Sequence, residues 1–161
     1  MNWVQTAGAP LLLANSQFLM CWQGFEADDY ELAFSVEGYS GKIESHGTEY
    51  IVLNDEPLQT TVLRIDGYAM FVRWRFAPNA EAILSAVHEF AFAETLPEEE
   101  VEFSPGGLHL SLFDAASKSP FSLLSIEVDS TILTFQTFVV SPSTDVGAIV
   151  HRLVPRFKRQ V

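Results

Sequence analysis

The chain has 161 residues, of which 48% are apolar and 13 are Phe, enough for one sizeable core and far too apolar for a disordered segment. Acids outnumber bases 21 to 9, for a net charge of −12; Arg152, Arg156, Lys158 and Arg159 all fall in the last ten residues, so residues 1–150 hold 21 acids and 5 bases, a net of −16. Such a body helps keep a phenylalanine-rich protein in solution, repels nucleic-acid phosphates and anionic lipid, and attracts basic proteins, so neither a nucleic-acid nor a membrane partner is expected.

The opening Met1-Asn2-Trp3-Val4 has no basic segment followed by an apolar one, so no secretion signal is expected. Trp3-Val4 and Pro10–Leu13 flank the small residues Thr6–Ala9 and read as a short strand or extended arm pinned by Trp3. Apolar runs such as Leu11-Leu12-Leu13-Ala14 are far too short to cross a bilayer. Asn15-Ser16 is placed to cap a short helix through Phe18, Leu19 and Trp22, closed by Gly24. Cys21, the single cysteine, has no partner for an internal disulfide and reads as a buried structural thiol of a cytoplasmic protein. Asp28-Asp29 open a second short helix with Tyr30, Leu32, Ala33 and Phe34, where acids suit the N-terminal end of the dipole. Lys42-Ile43-Glu44 and Tyr50–Leu53 pair across the turn Ser45–Thr48.

The stretch Tyr50–Glu94 is the organising element. Tyr50-Ile51-Val52-Leu53 is a strand stopped by the turn residues Asn54-Asp55-Glu56-Pro57. Thr60–Ile65 and Met70–Phe76 form a hairpin about Asp66-Gly67. Alternation in the second strand predicts one largely apolar face, with Arg73 and Arg75 on the other. Asn79 caps a helix over about 79–94, with Ile83, Leu84, Val87, Phe90 and Ala91 on its apolar stripe. Together these predict an α+β fold: mostly antiparallel sheet, one main amphipathic helix, and short N-terminal helices.

Leu96–Glu102 holds the densest charge run and reads as a solvated connector. It separates two sub-halves, 1–96 and 104–155, of a single domain spanning 1–161. Beyond Pro105-Gly106-Gly107 the chain reads mostly as β: Leu108–Leu112, Leu123–Val128, and Ile132–Val140 ended by Pro142. Ala148–Val154 fits a last strand or a helix begun at Asp145, and the strand is favoured because Ile149, Val150, Leu153 and Val154 are mostly β-branched. Asp66-Gly67 with Pro78 and Asp129-Ser130 with Pro142, together with Val87-His88 and Val150-His151, hint at an internal repeat. The tail Pro155–Val161 reads as basic and frayed.

Little in the sequence points to chemistry. The histidines 46, 88, 109 and 151 have no metal-ligand spacing, and His88-Glu89 lacks the second histidine of a zinc-protease helix. There is no phosphate-binding glycine loop and no Gly-x-Ser-x-Gly elbow. Asp55-Glu56 is a carboxylate pair, but adjacent turn residues point apart, which suits a structural or surface role better than acid–base work. No cofactor or metal is expected. Two functions remain open from the residues alone: a binding protein for a basic partner, and a small acidic enzyme or ligand-binding domain with a pocket between its halves.

Several stretches in order nevertheless form a pattern: Trp3-Val4 with Gly8 and Pro10-Leu11-Leu12, Trp22-x-Gly24, Asp29-Tyr30 with Ala33, Tyr39-x-Gly41, Leu53-x-Asp55-Glu56-Pro57 with Thr60-Thr61, and Val72-Arg73-Trp74. Through these the first ninety residues resemble a bacterial family of polymorphic-toxin immunity proteins, immunity protein 21. Ala9 departs from the pattern, which has a second glycine there, and the basic tail has no counterpart in it. The resemblance implies a non-enzymatic cytoplasmic protein that binds and neutralises a cognate toxin. It carries no toxin-contacting residues with it. For a basic toxin, such as a nuclease domain, the candidate contacts are Asp28 and Asp29 with the turn residues Asp55 and Glu56, and the run Glu98, Glu99 and Glu100.

Overall fold

Strands and helices were located in a computed structural model, which describes residues 1–54 and 58–156. Among the described residues ten strands are present: β1 (Leu11–Asn15), β2 (Ser40–Ser45), β3 (Thr48–Leu53), β4 (Thr60–Ile65), β5 (Tyr68–Phe76), β6 (Glu99–Phe103), β7 (His109–Asp114), β8 (Leu124–Glu127), β9 (Leu133–Ser143) and β10 (Val146–Pro155). A 3₁₀ helix, Ser16–Cys21, a 3₁₀ turn, Gly24–Glu26, and α1 (Asp29–Phe34) follow β1, and α2 (Ala80–Glu89) follows β5. The expected α+β class is therefore the observed one.

Two antiparallel sheets form, in the orders β2-β3-β1-β7-β8 and β4-β5-β10-β9-β6. Strands from either side of residues 96–104 meet in both sheets, since β1 lies between β3 and β7, and β10 between β5 and β9. The side chains sort into three apolar layers, which follow from the two-residue period of a strand. Leu11, Leu13, Ile51, Leu53, Leu110 and Leu112 of the first sheet face Phe71, Phe103, Leu133, Phe135 and Leu153 of the second. The opposite face of the first sheet, with Leu12, Ala14, Tyr50, Val52 and Phe113, is closed by Leu19, Trp22 and Ala33 from the N-terminal helical segments. The opposite face of the second, with Met70, Val72, Phe138, Val140 and Val150, is closed by Ile83, Ala86 and Val87 of α2.

The local signals are realised where they are self-sufficient. Asp66 and Gly67 both take positive φ, 52° and 83°, the geometry of a two-residue hairpin turn. Asn79 Oδ1 accepts from the Ala82 N–H at 2.9 Å, capping α2. Asn15 Oδ1 does the same for Gln17, at 3.1 Å.

Six expectations need correction. The run at 98–102 is not a solvated connector, because Glu99–Phe103 is a strand paired with β9, Glu99 opposite Thr137 and Phe103 opposite Leu133. The helix ends at Glu89 rather than near 94: Phe90 is extended, and Phe90 and Phe92 both pack edge-on against Phe138, at 5.9 and 5.1 Å, while Ala91 is exposed. Arg73 is not on a solvated face, since it points between the sheets with 1% exposure and donates through Nη1 to the Asn54 carbonyl; only Arg75 reaches solvent. Pro142 does not end its strand but lies opposite the register shift between Val146 and Ala148, where a missing N–H breaks no ladder. Cys21 is half-buried rather than buried. The hinted repeat has no common structure either, with Val87-His88 in α2 and Val150-His151 in β10.

Candidate functional site

The carboxylates singled out from the sequence fall into separate environments. Asp28 is exposed just before α1. Asp29 is buried, one residue on, and accepts from the Gln23 N–H at 2.8 Å and the Ser45 hydroxyl at 3.1 Å, with His46 Nε2 at 2.8 Å. Burial pushes this carboxyl up, but the bonds from His46, Gln23 and Ser45 outweigh it and hold Asp29 below the usual carboxylate range. Asp29 thus ties the start of α1 to the β2–β3 turn, with its carboxylate turned inward. Asp55 and Glu56 lie outside the described residues.

In β6 the acids alternate. Glu98, Glu100 and Glu102 are exposed, and Glu99 is half-buried. Glu99 accepts from the N–H groups of Tyr39 and Ser40, both at 2.9 Å, and from the Ser40 hydroxyl at 3.2 Å, so a carboxylate of one sheet holds the start of β2 in the other. A polar chain continues inward from Ser40 Oγ to Thr137 Oγ1, 3.0 Å, and on to His151 Nδ1, 2.9 Å. His151 stacks on Phe135 at 5.0 Å and is fully buried. Burial and the nearby Arg73 charge push its pKa well below the ordinary histidine value, keeping it neutral. Glu100 accepts from Gln136 Nε2 at 2.9 Å, and Glu102 pairs with Arg156 at 2.8 Å. The structure therefore groups Glu98, Glu100 and Glu102 on the outer side of β6, leaves Asp28 exposed at the start of α1, and turns Asp29 and Glu99 inward.

A cleft of about 520 Å³ lies beside the β2–β3 turn, between Phe18, Glu44, Glu49 and the loop at Ser104-Pro105. Glu49 there is engaged on both oxygens, with Lys42 Nζ at 2.7 Å and the Ser104 N–H at 3.0 Å. Among the described residues no cluster of three metal-ligating side chains is present, and no helix is long and apolar enough to cross a membrane.

One surface feature escaped the sequence reading. Phe25, Tyr30 and Phe34 form a ring ladder, with centroids 4.0 and 5.5 Å apart, and its two ends stay 67% and 62% exposed. The available signal was the four-residue spacing of Tyr30 and Phe34, which puts both on one side of α1 while Asp29 and Ala33 take the inner side.

Compared with known protein families, the chain matches the model described as Immunity protein 21 over residues 2–133. The chain belongs to this family. No match was found among curated proteins or among solved structures. The immunity protein 21 match runs well past the first ninety residues, which hold the motifs of the resemblance. It takes in β1 through β8 and both α-helices, and ends at Leu133, the first residue of β9. An immunity protein has a toxin as its counterpart, so the functional question becomes which surface meets it.

Proposed function

We propose that this protein neutralises a cognate toxin of the same cell by stoichiometric binding in the cytoplasm, without catalysis, and that the toxin domain is basic, as nuclease domains often are. The observation that carries this reading is family membership over residues 2–133. Charge supports the second part. Of the five bases before residue 150, Arg73 is buried, Lys42 pairs with Glu49 at 2.7 Å and Lys118 with Glu26 at 2.8 Å; Arg64 and Arg75 are exposed, but 21 acids in the same stretch far outnumber them. Long-range attraction of that kind raises encounter rates with a basic partner and disfavours acidic ones.

Co-expression with the toxin encoded beside the gene tests it. Growth rescue should rise in proportion to the amount of this protein and plateau near one copy per toxin, and the purified pair should run as a complex. Full rescue at a small fraction of the toxin concentration would show turnover and overturn the stoichiometric reading.

A further inference from the structure

We infer that the aromatic ladder Phe25–Tyr30–Phe34, with its acidic rim, is the surface that receives the toxin, and that its occupant is an arginine-bearing basic segment of the toxin domain. The inference rests on the immunity reading above and adds the place and chemistry of contact. Water-exposed Phe rings are unfavourable in an isolated molecule, and contiguous ones mark interaction sites more often than scattered ones do. Here the rings are held in place rather than loose. The Phe25 backbone is fixed by its N–H, which donates to the Ala116 carbonyl at 3.3 Å, and the Tyr30 ring packs at a tilt against both Phe25 and Phe34 from a helix anchored by buried Asp29 and Ala33. A pre-positioned aromatic surface loses little side-chain entropy when it is covered.

Two further exposed apolar side chains lie on neighbouring segments. Met20 and Phe121 are 79% and 90% exposed. The loop that carries Phe121 is tied to the segment that carries Met20 through Ser119, whose N–H donates to the Trp22 carbonyl at 2.8 Å and whose hydroxyl donates to the Met20 carbonyl at 3.3 Å.

Charge selects the occupant. Glu26, Asp28 and Glu31 are exposed in the same short stretch as the rings, and Lys118 pairs with Glu26 there. A purely apolar partner would have to take the Asp28 and Glu31 carboxylates out of water without supplying a countercharge. A guanidinium satisfies both features, lying flat over a ring while donating to a carboxylate. The protein uses the first of these contacts internally: the Arg152 guanidinium lies 5.1 Å from the Tyr68 ring centroid and 5.4 Å from that of Phe138.

The test uses the full chain and the toxin encoded beside the gene, made inactive by mutation, with affinity measured by calorimetry. The double variant Phe25→Ala/Phe34→Ala should weaken binding by about 100-fold, as loss of central aromatic anchors does, with an unchanged melting temperature because both rings are exposed. Asp28→Lys/Glu31→Lys should slow association by about tenfold at low salt and much less at high salt. Leu96→Ala, 89% exposed on the segment between α2 and β6, should change neither. Unchanged affinity in the Phe25/Phe34 variant beside a tight wild-type complex would overturn this surface and leave the immunity reading standing. A wild-type dimer that the same variant dissociates would make the face a self-association surface and overturn the proposal. No wild-type complex at all would bring down the immunity reading and this inference together.

Discussion

Glu99 and Glu100 are neighbours with opposite duties. Glu100 faces water and holds the exposed end of Gln136, whereas Glu99 accepts two backbone N–H groups and a hydroxyl at the start of β2. Gly38 is shaped to this arrangement: its φ is +82°, and a Cβ there would lie 2.2 Å from Glu99 Oε1. Replacing Glu99 by Lys strands the Tyr39 and Ser40 donors and adds a cation among them, an expected loss of about 2–4 kcal/mol, since each stranded donor costs about 1–3 kcal/mol. Glu100→Lys should stay within about 0.5 kcal/mol, as exposed substitutions do. Urea unfolding of the two variants checks this, and equal midpoints would show that the Glu99 contacts hold nothing. Charge reversal at Glu99 therefore reads stability, and an effect on toxin binding through it would be indirect.

At the scale of elements, α2 illustrates where a helix stops and why. Val87 is fully buried among Ile83, Phe138 and Val150, so Val87→Asp places an unpaired charge in that layer. The cost, on the order of several kcal/mol, is comparable to the whole stability of a typical domain, and the far-UV spectrum and cooperative melt should be lost. Ala91→Asp is the contrast. A helix running to residue 94 would put Ala91 on the same stripe, but the chain leaves the helix after Glu89 and Ala91 is exposed, so this variant should melt within about 2 °C of the parent. If Ala91→Asp is as damaging as Val87→Asp, the helix continues past Glu89. The same comparison shows what was legible in the sequence. The hairpins about Ser45–Thr48 and Asp66-Gly67 and the Asn79 cap are specified by adjacent residues and are legible there. The end of α2 is decided by Phe138, nearly fifty positions away, and no local pattern reports it. β6 carried a readable sign, Val101 and Phe103 alternating with Glu100 and Glu102, but four glutamates in five residues hid the two-residue period behind their charge. Arg73 misled for a related reason: a guanidinium reads as solvated until a distant carbonyl, here that of Asn54, is known to receive it. Of the candidate contacts, composition identified acids but not which way each one points, and the aromatic ladder exists only once Phe25 is folded back onto α1.

For the whole molecule, the family match and the folding unit have different limits. The match ends at residue 133, before almost all of β9 and the whole of β10. Yet β10 is the middle strand of its sheet, paired from Gly147 to Leu153 with β5 and from Val146 to Pro155 with β9. Its side chains serve two layers at once. Leu153 faces the other sheet beside Phe71 and Phe135, and Ala148 and Val150 face α2. Without β10 the hairpin β4–β5 has no hydrogen-bonded path to β9–β6, and α2 loses part of the floor it covers. Burial of a large aliphatic side chain contributes about 1.5–3 kcal/mol, so losing Ile149, Val150 and Leu153 alone approaches the roughly 5–15 kcal/mol a domain has in reserve, before any stranded ladder donors are counted. A chain ended after Asp145 should therefore lack a cooperative thermal transition and show collapsed amide dispersion by NMR. It should recover both when a separate peptide spanning 146–156 is supplied, because the gap left between β5 and β9 is a strand-shaped template. A cooperative melt of the shortened chain without peptide would mean that the fold stands without its last strand and that β10 is an addition to it.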